Sequence, residues 1–563
     1  MKKKKAPGET GASPKNNSGK VAAPHGQVKH SAATRLVDHV IGYDYFHDQQ
    51  DRPFVKLTVN DHPEVWPVES AKFKKLLAGI YYKHTGDAIN RNALGDAITT
   101  LAGRACHDSP QAPVFLRVAP HDDGILIDLC DEAWRVIKVT RDGWRILKQS
   151  PVAFVRTGST QALPGPVHGS GSIDPLWLLL NVTKEERPLI AAALVTGFNP
   201  YGPYFVTNYV GEQGSAKSCA ARIHRQLVDP NENPLRSPPR EERDLLVQAA
   251  SNHCVALDNL SRLADWLSDA LCRIATGGGH SARSLYTDME EISLAVKRPV
   301  IINGIEDVAI RPDLAERALQ IELQTIPAWK RISERKLWAD FEKYRPAIFS
   351  ALLDALVVAL RDYPEVELIE LPRMADAAIW AMAAEPVFGW ERGEFMAAYQ
   401  KNLDEGAIAS VEAHPVGVAI LRLLVDRDEW SGEPMQLLKL LNATVSDEQR
   451  HAKDWPQNAR SLSVCLRRLA PALRRAGIEV AYPPRKKRRM VTLCKAWNFA
   501  SFATPATAIE GDRDDADDAN DVSDDANIAS DAHGGNDAND ASVANLQPLH
   551  VLKKSDQNNE KLL

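Results

Sequence analysis

The chain has 563 residues, 44% hydrophobic and 25% charged, which at roughly 100–200 residues per domain gives room for three or four folded domains and excludes a fibrous or wholly disordered chain. Its net charge of −6 hides an asymmetry: residues 510–540 carry twelve acidic groups against one arginine, a local net of −11, whereas residues 1–509 come to +4. No run of 18 apolar residues occurs, so no membrane span is expected, and the basic start Met1–Lys5 is not followed by the apolar stretch of a secretory signal. Seven cysteines, an odd number with no C-x-x-C, point to a reduced, cytoplasmic protein without a structural zinc site.

Residues 1–34 are rich in Lys, Gly, Pro and Ser and cannot bury enough apolar surface to order themselves; they are expected to be a disordered basic tail, a solubilising segment or a nucleic-acid contact. Residues 35–165 suggest an α+β module. Helical spacing covers Ser70–His84 and Ala93–Ala105, followed by short β-type runs at Val114–Val118, Ile125–Leu129, Trp134–Val139, Trp144–Leu147 and Val152–Val155. Asp122-Asp123-Gly124 and Arg141-Asp142-Gly143 supply turns, so an antiparallel meander is expected, with no catalytic constellation in it. Pro164 to Ser172 is expected to be a linker. The region 166–330 alternates apolar strand-like runs with helical patterns, as a parallel α/β sheet requires. Residues 331–425 are helical, 426–500 form a small helix-rich domain ending in a hairpin, and 501–563 are an acidic low-complexity tail expected to be disordered.

The strongest chemical signal is Gly211-Glu-Gln-Gly214-Ser215-Ala216-Lys217-Ser218, which resembles the P-loop pattern G-x-x-x-x-G-K-[ST]. A β-type run, Tyr204–Val210, precedes it and a helical run, Cys219–Val228, follows. Strand, loop and helix thus stand in the order that lets backbone N–H groups and a helix N-terminus cradle the phosphates of ATP. Gly211, Gly214, Ser215, Ala216, Lys217, Ser218 and Cys219 are the nucleotide-binding candidates. Lys217 would reach the β- and γ-phosphates and Ser218 would ligate Mg²⁺. Ala216 departs from the usual glycine, and alanine resists positive φ.

The run from His253 to Leu257 ends in Asp258, a Walker-B-like carboxylate for the Mg²⁺ shell. The alternative is a helix-capping Asp after a buried strand. Asn259 stands where motor ATPases carry a glutamate, so Asp258, Asp265 or Asp269 takes that role or hydrolysis is slow. Pro299–Asn303 is a further buried-type strand whose terminal Asn303 can contact a γ-phosphate or orient water. Arg311 and Arg317 suit an arginine finger reaching a neighbouring subunit's nucleotide, or surface ion pairs.

This order of motifs, with Thr276-Gly277-Gly278-Gly279-His280-Ser-Ala-Arg283-Ser-Leu-Tyr286 between Asp258 and Asn303, resembles superfamily-3 helicases, above all the helicase part of primase-helicases from phages and integrated mobile elements. The resemblance covers about residues 175–330. It implies an AAA+-type ATPase core assembled as a ring, a hexamer by preference, with His280 and Arg283 as single-strand DNA contacts on a pore hairpin and Lys297 and Arg298 as further candidates.

The last domain supports DNA as partner. A helical run from Trp455 to Gly477 carries Arg467, Arg468, Arg474 and Arg475, with Pro471 expected to break or kink it. The basic run Arg485–Arg489 follows, between β-type runs at Val480 and Val491. That is the layout of a winged helix, with Arg467, Arg474, Lys486, Lys487 and Arg488 as phosphate contacts. The leading expectation is an ATP-dependent, helicase-like ring ATPase in mobile-element replication. The alternative is a non-motor DNA-binding ATPase switch in regulation or defence, or a degenerate ATP-binding interaction protein.

Overall fold

In the computed structural model, residues 30–261, 263–277, 280–283, 291–294, 296–304, 311–452, 455–482 and 490–495 are described. The expected basic and acidic tails therefore lie outside the described residues, apart from residues 30–34 at the end of the first. The N-terminal module opens with a helix, Ala32–Val40, and a three-stranded antiparallel sheet, Asp44–His47, Pro53–Val59 and His62–Pro67, that the sequence patterns had not indicated. Two helices cover the sheet. The Ser70 side chain caps Ala71–Thr85 by accepting from the Phe73 N–H, and Gly86 closes it at φ +75°; Asn90 caps Arg91–His107.

The expected meander is present as Val118–His121, Gly124–Asp128, Val136–Thr140 and Gly143–Leu147, paired antiparallel in chain order. Of the outer runs of the five expected strands only Val118 joins it: Val114–Phe115 pairs in parallel with Ala153–Phe154 instead. The Pro164–Ser172 stretch is no free linker. Val167 N–H donates to the Ser350 hydroxyl, Ser172 N–H donates to the Ala347 carbonyl, and the His168 ring stacks on Trp144 at 3.6 Å.

The central region is built on a four-stranded, wholly parallel sheet. Its elements are β1 (Val206–Val210), α1 (Lys217–Val228), α2 (Glu242–Ser251), β2 (Val255–Leu260), α3 (Asp265–Thr276), β3 (His280–Arg283), β4 (Glu291–Leu294), β5 (Val300–Gly304), α4 (Pro312–Ala315), β6 (Ala318–Glu322) and α5 (Glu334–Asp362). The spatial order is β2-β5-β1-β6, while β3 and β4 form a separate antiparallel hairpin. Alternate residues serve two cores. Ile301, Leu319 and Ile321 pack with α5 and the helix Arg187–Thr196, whereas Val300, Ile302 and Ala318 pack with α2 and α3. Coverage on both faces explains why these strands read as unbroken apolar runs.

One buried ionic cluster ties the meander to this sheet. The wholly buried Arg117 donates to an Asp229 carboxylate oxygen at 3.1 Å, and Arg225 pairs with the other oxygen at 3.0 Å. Burial pushes the Asp229 carboxyl up, but Arg225 and Arg117 outweigh it and hold the group down at about 2.

The helical region packs into the same core as the sheet, through Ile348, Leu352, Phe395 and Tyr399. The last region has its own core around Leu441, Leu462, Leu466, Leu469 and Val480. Its strands Glu429–Gly432, Ile478–Ala481 and Val491–Lys495 form an antiparallel sheet with Val491–Lys495 in the middle, beside helices Pro434–Ala443, Asp447–Arg450 and Ala459–Arg475. Pro471 does not break the last of these helices, which continues to Arg475 before Gly477 turns the chain at φ +81°. Among the described residues, no single helix is long and apolar enough to cross a membrane, and no cluster of three His, Cys, Asp or Glu side chains could hold a metal ion.

Candidate phosphate-binding site

The glycine-rich stretch joins the C-terminal end of β1 to the N-terminus of α1, at the carboxyl edge of the parallel sheet where open α/β folds take ligands. Its backbone explains its composition. Gly211 lies at φ +141°, and a Cβ there would sit 2.5 Å from the Leu323 carbonyl oxygen, so both conformation and space demand glycine. Gly214 lies at φ +88°. Ala216, which alanine chemistry argued against, adopts the left-handed conformation (φ +67°, ψ +31°), a strain of about 1–2 kcal/mol. The helix begins at Lys217, two residues earlier than the apolar spacing indicated.

Lys217 Nζ donates to the carbonyls of Gly211 (2.6 Å) and Glu212 (2.8 Å), and partial burial lowers its pKa. Ser215 is buried, and its hydroxyl finds no partner among the described residues, a polar atom placed against the loop with bonding capacity to spare. Cys219 follows on the first turn of α1, its thiol pushed up chiefly by burial.

Three strands bring the other candidates together. The Ser218 hydroxyl donates to Asp258 Oδ1 at 2.9 Å. Asp258 is not the end of its strand: β2 runs on to Leu260 through an irregularity in its pairing with β5, and Asn259 takes φ +57° there. Asn303, 2% exposed on β5 between β2 and β1, accepts the Asn259 N–H at 2.9 Å, while its own Nδ2 has no partner among the described residues. Lys217, Ser218, Asp258 and Asn303 thus share one sheet edge.

The arginines stand elsewhere. Arg311 pairs with Asp269 (3.1 Å) and Asp265 (3.6 Å), and Arg317 with Asp313 (2.6 Å). Asp265 and Asp269, read as alternative carboxylates for the nucleophilic water, are therefore engaged with Arg311. Sequence reading missed the segment after β6. Leu323 N–H donates to the Val210 carbonyl, Thr325 Oγ1 donates to Glu212 Oε2 at 3.0 Å, and Arg331 Nη2 lies 3.3 Å from where a Gly214 Cβ would be. No residue pattern marks that segment in advance.

Of the nucleic-acid candidates, His280 and Arg283 stand at the two ends of β3, paired in register with Leu294 and Glu291. Lys297 packs its stem against Gly277 at the base of this hairpin and donates to the Tyr201 carbonyl. Arg298 is engaged within the chain: its guanidinium donates to the Ala249 and Lys297 carbonyls, and burial lowers its pKa. Arg467 and Arg474 are exposed on the helix Ala459–Arg475, the first 5.9 Å from the Tyr482 ring, the second bonded to Glu479 at 2.9 Å. Lys486, Lys487 and Arg488 lie outside the described residues.

Fold and site together define a mixed α/β multidomain protein with a parallel sheet and a glycine-rich strand-to-helix loop. Residues 173–406 match the family model described as the actinomycete integrative conjugative element replication protein, and residues 416–504 match the model of the AICE RepA C-terminal domain. These matches meet the site and the last domain respectively, and make both regions similar to replication proteins of actinomycete integrative conjugative elements. No curated protein matches it. Among solved structures, an A-form apo structure of the NrS-1 C-terminal region (305–718) is 12% identical, with 82% of this chain and 99% of that chain covered and a TM-score of 0.35. An apo structure of the same region is also 12% identical, with 83% and 100% covered and a TM-score of 0.34.

Proposed function

We propose that the chain is a DNA-dependent ATPase of the helicase type, working as a ring in the replication of its element. The observation that carries this reading is the Ser218–Asp258 bond beside a loop of P-loop sequence. It brings a hydroxyl on the helix after the loop to a carboxylate on another strand, the pair that P-loop ATPases use to hold Mg²⁺. The Ser215 hydroxyl and Asn303 amide, which find no partner among the described residues, suit a triphosphate at this edge. Gly211 to Cys219 would bind the phosphates, Ser218 and Asp258 would hold Mg²⁺, and the metal would neutralise charge on the oxygens of the transferred phosphoryl group. Lys217 would orient the terminal phosphates, and Asn303 would position the attacking water.

Arg311 and Arg317 would act across a subunit boundary. Arg311 suits this better: its side chain is 34% exposed against 12% for Arg317, though each must exchange its own carboxylate partner for phosphate. The hairpin carrying His280 and Arg283 would face single-stranded DNA inside the ring. The three-stranded sheet and helix Ala459–Arg475 would form a winged-helix module on duplex DNA, a reading supported by the basic exposed face of that helix.

One observation favours a second reading, a nucleotide-gated DNA-binding switch. Asn259 is exposed and carries no charge where a motor would place its glutamate. Steady-state ATP hydrolysis with and without DNA separates the two. A motor shows DNA-stimulated turnover that Lys217→Ala and Asp258→Ala abolish, and a switch binds ATP with negligible turnover.

A further inference from the structure

We infer that Arg331 contacts the terminal phosphate of the bound nucleoside triphosphate from within the same subunit; this rests on the ATP-site reading above. The segment between β6 and α5 is fastened along the glycine-rich loop rather than free beside it. Its start is held by Leu323 N–H on the Val210 carbonyl and by Thr325 on Glu212. Its end is held by α5, whose Glu334 accepts from Arg222 of α1 at 2.7 Å. Between these anchors a 3₁₀ turn, Ala328–Lys330, delivers Arg331 to the crown of the loop. There Nε donates to the Ile326 carbonyl at 3.1 Å, which restrains the guanidinium, and Nη2 lies 3.3 Å from where a Cβ on Gly214 would stand.

Among the described residues no carboxylate pairs with Arg331, in contrast to Arg311 and Arg317. A planar guanidinium held against a phosphate loop is suited to two-pronged bonding of phosphate oxygens. In the P-loop pattern the lysine reaches the β- and γ-phosphates, so a cation at the crown stands on the side where charge develops during γ-phosphoryl transfer. Arg331 would therefore distinguish ATP from ADP, a task that Lys217 cannot perform alone because it serves both.

The test is titration of the full-length chain with fluorescent ATP and ADP analogues in Mg²⁺, for the parent, Arg331→Ala, Arg331→Lys and Lys217→Ala. Arg331→Ala should weaken ATP by about tenfold or more and ADP by less than about threefold, with Arg331→Lys recovering part of the loss. Unchanged affinity of Arg331→Ala for both nucleotides, while Lys217→Ala loses both, overturns this inference and leaves the site reading intact. Equal weakening of ATP and ADP overturns the assignment to the terminal phosphate. If Lys217→Ala binds both nucleotides as the parent does, the site reading itself fails. Should Arg331→Ala lose its cooperative thermal transition, Arg331→Lys is read in its place: an unchanged ratio of ATP to ADP affinity overturns the inference.

Discussion

Ser218, on the helix that follows β1, meets Asp258 of β2 at 2.9 Å although β5 runs between β1 and β2, and Asn303 on that middle strand holds the N–H of Asn259. In the proposed ATPase, the Ser218–Asp258 and Asn303–Asn259 pairs would flank the attacking water. Asn259 lies in the left-handed region, which asparagine and aspartate tolerate better than glutamate. Asn259→Asp is therefore expected to raise steady-state ATP turnover by adding the absent carboxylate without new backbone strain. Turnover equal to or below that of the parent would count against a missing base.

A second expectation concerns the loop itself. Gly211→Ala sets a carbon 2.5 Å from the Leu323 carbonyl at φ +141°, so the segment carrying Arg331 must move away. The cost should be about 2–3 kcal/mol in chemical denaturation, with loss of nucleotide binding. Ala216→Gly, which exchanges left-handed strain for chain entropy, should stay within about 1 kcal/mol of the parent. Parent-like nucleotide affinity in Gly211→Ala contradicts the loop assignment.

Assembly can be read from mixed subunits. If Arg311 acts across a boundary, Arg311→Ala and Lys217→Ala subunits combined should regain activity that neither has, because each supplies the half-site the other lacks. A mixture giving only the sum of its components means that the arginine acts within its own subunit, where Asp265 and Asp269 pair with it, or that no ring forms.

The two groups of DNA candidates should behave differently. Loss of Arg467 should flatten the log–log salt dependence of duplex binding by about 0.9, as for one released phosphate contact. Loss of Arg474 should do less, because Glu479 already neutralises it. His280→Ala and Arg283→Ala should leave duplex affinity unchanged and uncouple hydrolysis from unwinding. Parent-like unwinding by both variants removes the hairpin from the mechanism.

Much of the central region was legible because its signals are local. The P-loop sequence, its flanking strand and helix, and the apolar run ahead of Asp258 are contiguous, and their order alone implies a parallel sheet. The bond between Ser218 and Asp258 is not local, since it depends on strand order. The N-terminal sheet escaped notice because Pro63 and Pro67 interrupt its third strand, although Asn60 and Asp61, at φ +47° and +66°, form the kind of turn that signals a hairpin. The strand Glu429–Gly432 offers only Trp430 as a strong β-former. Arg331 sits in a polar segment without periodicity, so only the hydrogen bonds at Leu323 and Thr325 reveal what it faces. For Arg311 and Arg317, sequence spacing could not show that acids of the same chain already hold them.

The most direct measurement is strand displacement on a forked duplex with ATP and Mg²⁺, run with the full-length chain beside Lys217→Ala and Asp258→Ala. The account predicts ATP-dependent unwinding by the parent and none by either variant, with duplex binding preserved in all three. Unwinding that survives in Lys217→Ala, or a parent that binds DNA and ATP yet never separates the strands, would contradict it.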